Sequence, residues 1–293
     1  VNMQLGFIGF GEAAFEMSSG LKEQGFGKII AYDPLWNHPV FGSLVKERAF
    51  KAEVELKTES EGVLDQADIL IVAVPADKAY EVSDTLKPHL KKGCIYVDVS
   101  ASNPDVKNKI SGNVKEKEVC FVDAAMMGPL PVYRHKVPIL ASGDGTDALI
   151  RHMSSYGMEI SKVSENPGDA SAVKLIRSIY MKGTAALLIE MLEAAHRFQV
   201  EDLVVGSIGE TMDGKSFEQS MNRLVTGTSI HAVRRAAELE GSIQMLKAAG
   251  LDSLMSQAAR DKLRLLSDFN LKEKFEGKTP AKWLDVITAM QRQ

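Results

Sequence analysis

The stretch Leu5-Gly6-Phe7-Ile8-Gly9-Phe10-Gly11-Glu12-Ala13-Ala14 decides how this chain reads. A short apolar run ends in Gly-x-Gly-x-x-Ala, and an amphipathic stretch over 12–24 follows. Gly9 permits a tight turn, Gly11 lets a pyrophosphate approach the backbone, and Ala14, the next smallest residue after glycine, keeps helix and strand close. The segment therefore predicts a strand, a turn and a helix, with Phe10, Glu12 and Ala13 completing the turn. Its exposed N–H groups and positive dipole end would face an anion. Asp33 stands 22 residues after Gly11, at the end of the second apolar run. A carboxylate there can accept both ribose hydroxyls of a dinucleotide, and it would repel a 2′-phosphate, so NAD is expected over NADP. The competing reading of Asp33 is a turn residue before Pro34. S-Adenosylmethionine methyltransferases also place glycines after a first strand and an acid after a second, so this motif alone does not separate hydride from methyl transfer.

Outward from that motif, short β-branched runs over 5–10, 29–32, 69–74, 95–99 and 119–124 alternate with helical patterns over 12–24 and 77–90. Continuous apolar strands joined by helices predict a parallel sheet covered on both faces, the doubly wound α/β arrangement. Two more strands, 138–141 and 159–163, flank a helix over 144–156 and are expected to close the sheet. The fourth run ends in Val74-Pro75. At a strand's carboxyl edge this pair can pack against a dinucleotide at the topological switch point, although a proline that merely stops a strand reads equally well.

The character changes after Asn166-Pro167-Gly168. Residues 170–198 contain no proline, and their apolar positions recur at three and four, which predicts a helix on the order of 40 Å long. Segments 203–212, 216–225, 232–249, 254–266 and 280–293 are helical in pattern. The expected organisation is a Rossmann-type α/β domain over 1–164 and an all-α domain over 165–293 with a long first helix.

The bulk numbers narrow the partners. With 35 Lys and Arg against 39 Asp and Glu, the net charge of -4 provides no positive field for a polyphosphate backbone, so nucleic acid is not expected. The two cysteines, Cys94 and Cys120, sit in apolar runs and read as buried thiols of a reducing compartment. No metal site is expected. No basic leader and no apolar stretch long enough to span a bilayer precede or interrupt the fold, so a cytoplasmic location is expected, with Met3 as the natural start.

At the start of the long helix Lys174, Arg177, Ser178, Met181 and Lys182 fall at i, i+3, i+4, i+7 and i+8, on one face. Such a stripe can be a solvated surface. The rest of the helix is rich in Ala, Leu, Ile and Met, which predicts a largely buried element, and buried lysines seldom lack a purpose. A desolvated amine beside other cations is suited to act as a base for a substrate hydroxyl.

In this order these segments resemble the β-hydroxyacid dehydrogenase family, which includes 3-hydroxyisobutyrate and 6-phosphogluconate dehydrogenases. Gly6-Phe7-Ile8-Gly9-Phe10-Gly11 is similar to its cofactor signature, and Asp98-Val99-Ser100-Ala101-Ser102-Asn103-Pro104 resembles its DxSTxxP strand end, implying a cofactor contact at Ser100. Asp123-Ala124-Ala125-Met126-Met127-Gly128-Pro129 resembles its DAPVSGG substrate loop, and Gly168-Asp169-Ala170-Ser171-Ala172-Val173-Lys174 its GxGxxxK motif. The resemblance implies that Lys174 is the general acid/base. The family's asparagine four residues later is Ser178 here, its loop serine is Met127, and its second loop glycine is Pro129, which cannot donate an N–H. The substrate is therefore expected to differ from 3-hydroxyisobutyrate.

The run Thr226-Gly227-Thr228-Ser229-Ile230-His231-Ala232-Val233-Arg234-Arg235 resembles a subgroup with an uncharacterised helical C-terminal domain. His231 and Arg235 share a face and are candidates for an anionic substrate, against the alternative of an Arg234–Glu238 surface pair. Tyr133, Arg134, His135 and Lys136 are further candidates with an equally plain solvated reading. The expected reaction is hydride transfer between a small anionic hydroxy acid or sugar acid and NAD. Lys174 would move the hydroxyl proton, Ser178 would orient that hydroxyl, and Gly128 with Met127, Lys182 or Arg177 would hold the carboxylate or phosphate. A homodimer is expected to cover the long helix. The alternatives are an imine or keto-acid reductase, whose relatives often lack a lysine at this position, and a dinucleotide sensor without chemistry.

Overall fold

The computed structural model describes residues 3–291. Val1 and Asn2, ahead of the expected start, and Arg292 and Gln293 of the last predicted helix lie outside the described residues. The chain forms two compact units, Val1–Ser178 and Ile179–Gln293.

The first unit contains β1 (Leu5–Ile8), α1 (Glu12–Glu23), β2 (Ile29–Tyr32), α2 (Gly42–Lys51), β3 (Glu55–Leu56), α3 (Glu61–Leu64), β4 (Ile69–Val72) and α4 (Ala79–Leu86). It continues through β5 (Ile95–Asp98), α5 (Pro104–Lys115), β6 (Cys120–Met126), α6 (Leu130–Tyr133), β7 (Ile139–Ser142), α7 (Thr146–Met153) and β8 (Ile160–Ser164). The sheet runs β3-β2-β1-β4-β5-β6-β7-β8. Every neighbouring pair is parallel except β6 and β7. The order reverses at β1, between β2 and β4, so the switch point falls where Gly9 and Val74 follow their strands.

Strand alternation builds both cores. Leu5 and Phe7 of β1 pack with Met17 and Leu21 of α1 on one face, while Ile8 joins Leu70, Val72, Tyr96 and Phe121 on the other. All four residues of β1 and of β4 are buried, as a parallel sheet covered on both faces requires. Strands β1 and β4 stop two residues earlier than the apolar runs suggest, at Ile8 and Val72. The first does so because Gly9 turns the backbone to a φ of +83°. The pattern over 77–90 splits into α4 and a single tight turn at Lys87–His89, where Pro88 has no N–H to continue the helix. Helix α5 was not foreseen, although Asn103 caps it through a 3.0 Å bond from the Val106 N–H and Pro104 opens it.

The second unit contains most of α8 (Asp169–Arg197), then α9 (Glu201–Met212), α10 (Phe217–Ala248), α11 (Leu254–Ser267), α12 (Leu271–Lys274) and α13 (Trp283–Met290). The segments over 216–225 and 232–249 are one helix, with a single non-helical residue at His231, φ −119° and ψ 15°. The hydroxyls of Thr226, Thr228 and Ser229 donate back to the carbonyls of Asn222, Leu224 and Thr226, which carries this poor helix-forming stretch through to the kink. Glu190 caps α11 by accepting from the N–H groups of Met255 and Ser256 and from the Ser256 hydroxyl.

The expectation of a largely buried α8 is corrected. Within one chain Ile176 is 66% exposed, Ile179 74% and Ile189 60%. Apolar residues ring the helix, and one chain covers only part of that circumference.

His135 supplies a test of core packing. Its ring is buried against α1, where a Cβ on Gly20 would lie 1.9 Å from Nδ1, and neither ring nitrogen has a hydrogen-bond partner. Burial first, then the charges of Lys136 and Arg134, hold its pKa below the usual histidine value. The unfolded chain therefore takes up this proton before the folded one does, and stability falls as the pH drops from about 6.5 toward the lower folded pKa. Urea midpoints measured between pH 7 and 5 should fall less steeply in His135→Leu than in the unmodified protein, whereas parallel slopes would exclude this assignment.

Candidate active site

The carboxyl edge of the parallel strands gathers the candidate residues of the first unit. The Gly9 N–H donates to the Tyr32 carbonyl at 2.8 Å, drawing the first turn onto the end of β2. A Cβ on Gly9 would meet the Ala73 carbonyl oxygen at 2.5 Å, so only glycine fits there. Gly11 differs: a Cβ there meets nothing within 4 Å. The open space above Gly11, at the start of α1, leaves room for an anion to approach the backbone. Glu12 is exposed and Ala13 half-buried beside it.

Asp33 is 8% exposed and has the turn role that its position allowed. Oδ2 accepts the Phe10 N–H at 2.7 Å and Oδ1 accepts the Leu35 N–H at 2.8 Å, so the carboxylate ties the glycine turn to the loop after β2. Each oxygen keeps a second acceptor site for a ribose hydroxyl. Phe10 contributes only as a support, since its ring is in the core and its N–H is spent on Asp33. Val74 is half-buried and Pro75 exposed at the end of β4, and Pro75 also accepts the Lys78 N–H that opens the next turn.

After β5, Ser100 is 6% exposed and its hydroxyl lies 2.8 Å from that of Ser102, which donates to the Ala76 carbonyl. The Ser100 N–H donates to Asp98 Oδ1 at 2.8 Å. These bonds hold the loops after β4 and β5 together at the cofactor edge. Asp98 and Asp123 sit opposite each other in the parallel register of β5 and β6. Both are fully buried, as is Lys107 of α5, whose Nζ lies 3.4 Å from Asp98 Oδ2 and 3.1 Å from Asp123 Oδ1. The same Nζ donates to the carbonyls of Asp98 and Ser100 at 3.1 and 2.9 Å. The two carbonyl contacts are hydrogen bonds and the two carboxylate contacts are ion pairs, which leaves Asp98 Oδ2 near the charge but without a hydrogen bond. Asp123 accepts the N–H of Ser171 at 2.8 Å and its hydroxyl at 2.7 Å, and the Ala170 N–H donates to Ser142 Oγ. The first turn of α8 is bolted to β6 and β7.

Lys107 was missed, and Asp98, Ser102, Asp123 and Ser171 were read only as parts of motifs. The usable signal was two acids at corresponding places in successive apolar strands, a pair that cannot be buried without a cation.

Lys174 lies one turn beyond Ser171 and is half-buried. Ser178 is half-buried on the same face, whereas Arg177, Met181 and Lys182 are exposed. The Met127 N–H is taken by the Pro138 carbonyl at 2.8 Å, so this amide is spent on the fold and does not receive a substrate carboxylate as the loop motif implies. Gly128 lies next to it, close under the Tyr133 ring. Among the four neighbouring candidates, Tyr133 and Lys136 are exposed and Arg134 makes an exposed pair with Glu23 at 2.6 Å, whereas His135 is buried, which removes it from a solvated role. In the second unit His231 is exposed at the kink, whereas Arg235 folds back to donate to Thr228 Oγ1 at 2.6 Å. Arg234 pairs with Glu238 at 2.7 Å, as the plain reading had it. The kink at His231 breaks the ideal i, i+4 relation of His231 and Arg235.

Burial pushes the Cys94 thiol up to about 12 and raises that of Cys120, and both are free. Among the described residues no group of three His, Cys, Asp or Glu is placed to hold a metal, and no helix is long and apolar enough to cross a membrane.

Residues 4–156 match the NAD binding domain of 6-phosphogluconate dehydrogenase. The chain belongs to this hydroxyacid dehydrogenase family. Residues 195–266 match a domain of unknown function (DUF1932). An uncharacterised 28.5 kDa protein of Methanothermus fervidus is 30% identical over 81% of this chain and 88% of its own length. Mouse mitochondrial 3-hydroxyisobutyrate dehydrogenase is 27% identical over 42% of this chain and 36% of its own length. Among solved structures, a conserved protein of unknown function described as similar to 3-hydroxyacid dehydrogenases has a TM-score of 0.63 at 31% identity, covering 94% of this chain and 100% of that one. An imine reductase of Bacillus cereus has a TM-score of 0.75 at 14% identity, covering 99% and 100%, a likeness of fold alone.

The open space above Gly11 gives the first test of the dinucleotide cradle. Gly11→Val should change the melting temperature little, because a Cβ there meets nothing within 4 Å, and should weaken dinucleotide binding by at least ~10-fold in a titration of the free protein. Undiminished binding would place the pyrophosphate elsewhere.

Proposed function

We propose that this protein is an NAD-dependent oxidoreductase that moves a hydride between a small anionic hydroxy acid, or a sugar acid, and the nicotinamide. The observation that carries this reading is the placement of Lys174. It lies one turn into a helix whose start is fixed, through Ser171 and Asp123, to the same sheet that presents the Gly9–Gly11 turn. The dinucleotide, when bound, supplies the hydride acceptor. Lys174 Nζ takes the proton of the substrate hydroxyl during oxidation and returns it to the carbonyl oxygen during reduction, which is the role of a positioned general acid/base. Ser178, on the same face, is suited to orient that hydroxyl, and the exposed cations Arg177 and Lys182 to hold the substrate's anionic group.

A retained lysine at 174 supports an alcohol–carbonyl substrate pair over an imine. A screen of hydroxy acids and sugar acids with NAD, read by absorbance of the reduced nicotinamide, identifies the substrate. With that substrate, Lys174→Met should lower kcat by at least ~100-fold with dinucleotide affinity intact. Unchanged turnover would remove Lys174 from the chemistry, and binding without turnover on any substrate would favour a sensor.

The Asp33 carboxylate stands where a 2′-phosphate would add a second negative charge, which supports NAD as the cofactor. NAD should bind more tightly than NADP, and Asp33→Asn should narrow the ratio. Equal or tighter binding of NADP to the unmodified protein would refute the preference.

The exposed apolar residues of α8 support a homodimer that covers them. A monomeric mass in solution would overturn that part of the reading.

A further inference from the structure

We infer that Lys107, though buried away from any substrate, is a positioning residue that ties the cofactor edge to the helix turn carrying Lys174. This rests on the reading of Lys174 as the general acid/base. The connection is continuous in the first unit. From the loop after β4, the Ala76 carbonyl accepts the Ser102 hydroxyl, which meets Ser100 Oγ at 2.8 Å. The Ser100 N–H reaches Asp98 and the Ser100 carbonyl accepts from Lys107 Nζ at 2.9 Å. Lys107 then lies 3.1 Å from Asp123 Oδ1, and Asp123 holds Ser171 by two bonds. Ser171 and Lys174 are three residues apart on α8, so the bond that fixes the height and rotation of one fixes the other.

Three features mark this chain of bonds as more than packing. All three charged side chains are fully buried, so water does not soften the geometry. Each end terminates on a loop or turn at the proposed site, not in the core. Gly168, just before α8, has a φ of +92° and would place a Cβ 2.9 Å from the Pro104 carbonyl, so the start of α8 also abuts the start of α5, the helix that carries Lys107. Displacing Lys107 would therefore shift the α8 turn and the Ser100 loop relative to each other, and errors of about 1 Å between reacting groups cost up to ~100-fold in rate.

The test combines hydrogen–deuterium exchange with kinetics on three variants of the full chain. In Ser171→Ala, amide exchange over 169–174 should rise several-fold while α1 is unchanged. With the substrate from the screen, kcat should fall about 10-fold with little change in KM or dinucleotide affinity. Ser171→Thr, which keeps the hydroxyl, should restore both. Lys107→Met should reproduce the exchange effect and extend it to the loop over 99–103. Should Lys107→Met fail to fold, the Ser171 pair carries the test alone. Unchanged exchange over 169–174, or equal losses in Ser171→Thr and Ser171→Ala, would overturn the inference. Failure of the functional reading shows differently, as full turnover in Lys174→Met, and the exchange result stands apart from it.

Discussion

Two carboxylates facing each other across neighbouring strands in the dry middle of a sheet impose the strictest condition on this fold. Asp98 and Asp123 are in register on β5 and β6 with no exposure to water. Like charges so close raise the cost of burying either, and each buried ion carries a penalty of roughly several kcal/mol after relaxation. Lys107 offsets that cost by standing between them, which requires α5 to run at one height and one rotation over the sheet. Removing a single member of such a group typically costs about 3–5 kcal/mol, because it strands the others. The placement of α5, the loop after β5 and the beginning of α8 therefore follow from one electrostatic requirement.

The cofactor edge rests on a milder version of the same logic. Asp33 is nearly buried and is satisfied by the N–H groups of Phe10 and Leu35, so one carboxylate shapes both the glycine turn and the loop after β2. It is structural and available to a ligand at once, since a carboxylate has more acceptor sites than the two amides consume. The two readings of this residue, ribose acceptor and turn residue, were framed as rivals and turn out to be compatible.

The α/β and all-α halves were legible because parallel strands buried on both faces leave unbroken apolar runs, and because the helix after Gly168 lacks any breaker. Strand ends were less legible: Gly9 stops β1 by its backbone angle, a property of the turn and not of hydropathy. The break at 226–231 was expected but narrows to a kink at His231, since serine and threonine hydroxyls that bond back to carbonyls keep a poor helix-forming stretch helical. Lys107 was invisible for a different reason. On α5 it reads as one more surface cation beside Lys109 and Lys115, and only the register of two strands shows what it faces. The supposed burial of α8 failed because composition reports how apolar a helix is, not whether its own chain covers it.

Where the chain divides bears on which candidate groups share one frame. The contacts split α8 after Ser178, not at the break in sequence character near residue 165, because Ala170 and Ser171 are bonded to Ser142 and Asp123 of the sheet. Lys174 therefore belongs to the unit that holds the glycine turn, while His231 and Arg235 belong to the other. Groups that move a proton or seat a dinucleotide need fixed mutual geometry, and a sheet with buried ionic ties supplies it. Groups that choose among small anions tolerate replacement more easily, since their contribution is binding and not reaction geometry. The family's DxS and lysine positions are matched at Asp98, Ser100 and Lys174, whereas the proline of its DAP is Ala125, its asparagine is Ser178 and its loop serine is Met127. Fixed geometry is expected where buried charges leave no freedom, and variation where they do not reach.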